Sequence, residues 1–102
     1  MTNDTTSFLK FTEQFETALK TDYQLDLLEL HYVPYAFGSG MTAYRIKGSI
    51  VKVIFDGKDN QAELLISAKH IKYPGSDLTN IFLGNPFDLL TLGISKLKNQ
   101  LL

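Results

Sequence analysis

Cysteine and tryptophan are both missing from this 102-residue chain. Without thiols there is no disulfide scaffold, no thiolate metal site and no cysteine nucleophile, and a reducing cytosolic setting fits that lack. Long apolar runs are missing too: none approaches the ~20 residues that cross a bilayer. The opening MTNDTTSFLKF has no basic stretch followed by an apolar one, so it does not read as a signal peptide. A soluble, cytoplasmic protein with no membrane partner is expected. Net charge is only −1, which excludes a bulk electrostatic pull toward nucleic acid. Its distribution is uneven. Asp4, Glu13, Glu16, Asp22, Asp26 and Glu29 against Lys10 and Lys20 leave residues 1–40 at −4. Residues 41–102 carry eight Lys and Arg against five Asp and Glu, for +3. That contrast can be used between a helix and the sheet it covers, or between subunits.

What is present suits one small globule. Apolar residues make up 44% and charged residues 21%, ordinary values that argue against disorder. Seven Phe and five Tyr supply large buried areas. Residues 1–102 are read as a single domain, with the polar residues 1–5 frayed.

Phe8, Phe11, Phe15, Ala18 and Leu19 recur at steps of three and four, which predicts a helix from about Thr6 to Lys20 with Thr5 or Thr6 as its cap. Tyr23–Val33 reads as a strand whose alternation slips near Leu27-Leu28, the mark of a bulge or of burial on both faces. Continued helix through Leu30 is the competing reading. Pro34–Met41 reads as a loop. Tyr44–His70 then forms the expected central hairpin, two β-type runs joined at Asp56–Asn60. Tyr44 and Ile46 differ in parity from Val51, Val53 and Phe55, so a bulge at Gly48 is expected, with a tight Lys47-Gly48 turn as the alternative. Setting Phe55 opposite Asn60 pairs Val53 with Ala62, Val51 with Leu64 and Lys52 with Glu63. Residues 72–84 read as loop, with a possible helical turn over Asp77–Phe82 capped by Ser76 and a turn signal at Pro74-Gly75. Asn85-Pro86 is a helix start, and Phe87, Leu90, Ile94, Leu97 and Leu101 form the apolar stripe behind it. The predicted fold is α+β: a helix, an antiparallel meander of three or four strands, and a helix.

The chemical motifs are few. Gly38-Ser39-Gly40-Met41-Thr42-Ala43 matches G-x-G-x-x-A in letters, but a phosphate loop needs a following helix and this one runs into a β-type segment. Asp56–Asn60 lacks the ligand spacing of a calcium loop and reads as a hairpin turn. His31 and His70 belong to no metal-ligand pattern, so neither a metal nor a cofactor is expected. An enzyme would need one of them bonded to a carboxylate in a deep pocket; no catalytic residues are singled out.

Two constellations remain. Under the register above, Arg45, Lys47, Lys69, His70 and Lys72 gather near Tyr35, Phe37, Tyr44 and Tyr73, a basic and aromatic end suited to an anion or single-stranded nucleic acid. Ile46, Ile50, Ile54 and Leu65 share the second sheet face. They form a subunit interface if both helices cover the first face, and core if the helices take opposite faces. The leading reading is a non-enzymatic interaction or accessory protein that pairs with itself as a homodimer, or with another protein. The alternative is an anion- or nucleic-acid-binding module.

Overall fold

The computed structural model describes residues 4–73 and 77–102, with side chains from Phe8 onward within the first helix. It is an α+β fold. Helix α1 (Asp4–Lys20) precedes strands β1 (Asp26–Val33), β2 (Ser39–Ile46), β3 (Ser49–Asp56), β4 (Gln61–Ile66) and β5 (Thr79–Gly84). The C-terminal helix follows as one α turn, α2 (Pro86–Asp88), a π turn (Leu89–Gly93) and α3 (Ile94–Gln100). The strands form one antiparallel meander in the order β1-β2-β3-β4-β5. Five strands replace the three or four expected, for two local reasons.

The first lies at Lys47-Gly48. Ile46 pairs with Ser49, and both residues between them have positive φ, 50° for Lys47 and 86° for Gly48. That is the two-residue hairpin turn whose twist matches the flanking strands, and glycine is what makes its second position cheap. The run from Tyr44 to Asp56 is therefore two strands rather than one bulged strand. The second reason is β5. Thr79–Gly84 pairs with β4 instead of forming a helical turn. Its parity is masked by a register shift opposite Leu64/Leu65, where Ile81 is the extra residue. The Pro74-Gly75 signal and the Ser76 cap lie outside the described residues, as do residues 1–3. Thr5 and Thr6 lie inside α1 rather than before it.

The β3–β4 register sits two residues from the expected one. Asp56 pairs with Gln61, Phe55 with Ala62, Val53 with Leu64 and Val51 with Ile66. Asp56 Oδ1 accepts the backbone N–H groups of Lys58 (2.9 Å) and Asp59 (3.3 Å), and Asn60 turns back with φ 53°. The side chain of Asp56 thus organises the loop that follows it. A slip of two keeps every side chain on its face, so the apolar sets still coincide, but Lys52 now faces Leu65 and Glu63 faces Ile54. Of the two readings of the slip in β1, the bulge is the one present, with Leu28 as the extra residue between Leu27 and Glu29.

Both helices cover the same face of the sheet. Phe8, Phe11, Phe15 and Leu19 of α1 join Leu89, Ile94, Leu97 and Leu101 of the C-terminal helix in one buried cluster with Tyr44, Ile46, Val51, Val53, Phe55, Ala62, Leu64 and Ile66. Phe8 stacks on Tyr32 at 5.3 Å, and Phe11 lies 5.3 Å from Phe55. Asn85 caps the C-terminal helix as expected, its Oδ1 accepting from the Phe87 N–H at 2.8 Å with Pro86 behind it. Phe87 itself departs from the expected stripe and is 75% exposed. The π turn adds a residue to the coil there and brings Leu89 and Gly93 inward instead. Among the described residues, no helix is long and apolar enough to cross a membrane.

Candidate functional site

With both helices on one side, the other face of the sheet is open, and the register lays it out in rows. His31, Met41, Ile54, Glu63 and Leu83 are successive partners across all five strands. Glu29, Ala43, Lys52, Leu65 and Asn80 form the next row, and Asp26, Arg45 and Ile50 a third. An antiparallel sheet with one face in solvent normally carries polar side chains there. Here Met41, Ile54 and Leu65 are only half-buried and Leu83 is 59% exposed. A shallow hollow of about 490 Å3 lies over the first row, lined by His31, Met41, Lys52, Ile54 and Asp56.

The third row is closed by the chain that leaves β4. Ser67 N–H bonds to Ile50 O (2.9 Å) and His70 N–H to Gly48 O (2.7 Å), and Ser67 Oγ accepts the Ile50 N–H at 2.8 Å. Residues 67–73 then form a strap across this end of the face. The Arg45 guanidinium ties it down, giving one N–H to Gly48 O (3.1 Å) and another to Ile71 O (2.9 Å). At its far side the Tyr73 hydroxyl donates to Glu29 Oε1. Ile50 and Ala43, which point to this face, are fully buried.

Of the four expected interface residues, the structure leaves Ile54 and Leu65 on the open face and puts Ile50 there but buried. Ile46 moves to the core, because the Lys47-Gly48 turn makes it a partner of Ser49 on the helix side. Met41 and Leu83 were missed. Their parity with Ile54 emerges only when β2 and β5 are recognised as separate strands.

The expected basic and aromatic constellation divides between the two ends of β2. Arg45, Lys47, Lys69, His70, Lys72 and Tyr73 lie at the strap end. The His70 ring and the Lys69 Cβ sit against Gly48, and Lys47, Lys69, His70 and Lys72 are exposed. Tyr35, 90% exposed, and Phe37 lie in the β1–β2 loop at the opposite end, about 25 Å away by the rise of an eight-residue strand. There Phe37 meets the other hairpin loop. Lys58 Nζ sits 5.8 Å from its ring, Gly57 N–H bonds to Ser39 Oγ at 3.0 Å, and a Cβ on Gly57 would stand 1.9 Å from Phe37 O.

His31 Nε2 lies 2.6 Å from Glu29 Oε2, the histidine–carboxylate pair that an enzyme reading requires. It stands on an edge strand in the open, with the His31 side chain 63% exposed, rather than in a deep pocket. Among the described residues, Tyr44 is the one strongly perturbed group. Burial pushes its hydroxyl far above the usual tyrosine range, and the adjacent Glu16 carboxylate, which accepts a hydrogen bond from it at 2.8 Å, pushes it further. Among the described residues, no group of three or more His, Asp or Glu side chains could hold a metal ion. Comparison with protein-family models, with curated proteins and with solved structures finds no match to this chain.

Proposed function

We propose that this protein is a small cytoplasmic, non-enzymatic interaction module that pairs with a second copy of itself through the open sheet face. The observation that carries the reading is the placement of both helices in one core cluster. It leaves Met41, Ile54, Leu65 and Leu83 without cover. Charge matching favours a second copy as the occupant. The uncovered rows hold a cation, Lys52, that makes no ion pair among the described residues, and a carboxylate, Glu63, held by Asn80. A two-fold axis crossing the strands exchanges the two rows and turns each Lys52 toward the other copy's Glu63. Because the strap already occupies one end, only part of the face is free to pair, and a weak dimer is expected.

Sedimentation velocity from ~10 μM to ~1 mM protein tests this. A concentration-dependent shift toward dimer is expected, abolished by Ile54→Glu with the fold retained by circular dichroism. A monomer throughout the range, or an Ile54→Glu protein that still dimerises, refutes it.

A second reading rests on the strap end, where the tight turn draws Lys47 beside Lys69 and His70, with Lys72 following. Four exposed cationic or titratable groups there suit an anion, while Arg45 is held by carbonyls and acts as scaffold. Lys47→Ala with Lys72→Ala then weakens oligonucleotide binding at low salt and flattens its salt dependence. Absence of any binding at low salt removes this reading.

A further inference from the structure

We infer that the aromatic groove between the middle of α1 and the start of the C-terminal helix is a binding site for a compact apolar monoanion, such as an aromatic carboxylate or sulfonate. It lies on the face of the sheet opposite the proposed dimer surface and does not depend on that reading. Phe11, Phe55, Pro86, Phe87 and Leu90 line the groove, and Lys10, Gln14 and Asn60 complete the lining. Its volume is about 390 Å3, inside the range of small-molecule pockets and matching their usual build of apolar walls with a few polar groups.

Two independent features point to an occupant. Phe11 and Phe55 make a buried floor, yet the wall residue Phe87 leaves three quarters of its surface in water, 75% by area. Its spacing from Leu90, Ile94 and Leu97 would have buried it in a regular helix. The π turn over Leu89–Gly93 diverts the stripe, seating Leu89 and Gly93 in the core, where a Cβ on Gly93 would meet the Phe82 ring at 3.3 Å. Such turns weaken helix geometry and recur at functional sites. The second feature is charge. Among the described residues, Lys10 is the one charged residue lining the groove, and no carboxylate lines it. The amides of Gln14 and Asn60 add hydrogen-bond donors. A single cation over apolar walls selects one negative charge on a hydrophobic body and disfavours a polyanion such as a nucleotide.

The test titrates the full chain with anilinonaphthalene sulfonate and with its neutral relative phenylnaphthylamine, reading dye fluorescence and backbone amide shifts. Saturable one-to-one binding is expected, with shifts centred on Phe11, Gln14, Phe55, Asn60 and Leu90. Lys10→Gln weakens the sulfonate about threefold and leaves the neutral dye unchanged. Phe87→Ala weakens both dyes; the position is exposed, and circular dichroism confirms its fold. Shifts centred on Met41, Ile54 and Leu65, equal loss of both dyes in Lys10→Gln, or no saturable binding would overturn the inference. The wild-type shift map stands even if a variant fails to fold.

Discussion

Removing the Arg45 guanidinium is the sharpest test of the strap. It donates to Gly48 O and Ile71 O at 3.1 and 2.9 Å, in a half-buried setting. Hydrogen bonds from a charged donor contribute about 1.5–3 kcal/mol each when desolvated. Half exposure lowers that to about 1–1.5, so Arg45→Ala is expected to cost about 2–3 kcal/mol. Arg45→Lys keeps the charge but cannot fork across two carbonyls, and loses roughly half as much. Urea unfolding measures the global change. Amide exchange locates it: protection of the His70 and Ser67 N–H groups, which bond to Gly48 O and Ile50 O, falls about 30- to 150-fold by the same free energy. Loosening the strap also uncovers Ile50, so the proposed dimer is expected to tighten in Arg45→Ala. A stability change under about 0.5 kcal/mol with unaltered His70 protection would refute the reasoning.

Two further substitutions probe the core and the loop end. Tyr44 is raised above its ordinary value by burial and by Glu16, so its neutral form stabilises the fold below the unfolded tyrosine value of about 10, and that contribution is lost as pH rises beyond it. Alkaline unfolding followed by tyrosinate absorbance should show one tyrosine ionising only with unfolding, and Tyr44→Phe, at a cost near ~1 kcal/mol at neutral pH, should make the alkaline decline shallower. An unchanged decline would exclude Tyr44 as its source. Gly57→Ala drives a Cβ to 1.9 Å from the Phe37 carbonyl oxygen, a backbone clash worth about 2–3 kcal/mol, read as a lower urea midpoint with an unchanged slope. A midpoint equal to wild type would mean the two hairpin loops do not touch.

Elements whose own residues determine them were legible. The Phe8/Phe11/Phe15 stripe, the Leu28 bulge and the Asn85-Pro86 start all fall where their spacing predicts. The common face of Val51, Val53 and Phe55 with Ala62, Leu64 and Ile66 also survived, since a two-residue slip conserves faces. Features set by a single unusual backbone residue were only partly legible. Lys47 takes positive φ at a position that usually goes to Asn, Asp or Gly, so the Lys47-Gly48 turn, which the structure has, stands in the sequence only as the alternative to a bulge at Gly48. β5 was hidden by its extra residue Ile81, and Phe87 by a π turn that no simple periodicity announces.

The Lys47-Gly48 turn accounts for more of the candidate surface than any other feature. An unbroken strand over Tyr44–Asp56 would have set Arg45 beside His70 and Ile46 on the same face as Ile54. The turn folds that run in half. It sends Ile46 into the core, pairs Met41 with Ile54 across β2 and β3, and sets Arg45 opposite Ile50. From there Arg45 reaches Gly48 O and Ile71 O, so the residue first placed among the anion ligands becomes the clasp of the strap. That strap in turn decides how much of the open face is left: Ile50 is covered, while Ile54, Leu65 and Leu83 are not. The size of the patch, and with it the weakness of the proposed dimer, follows from one left-handed lysine.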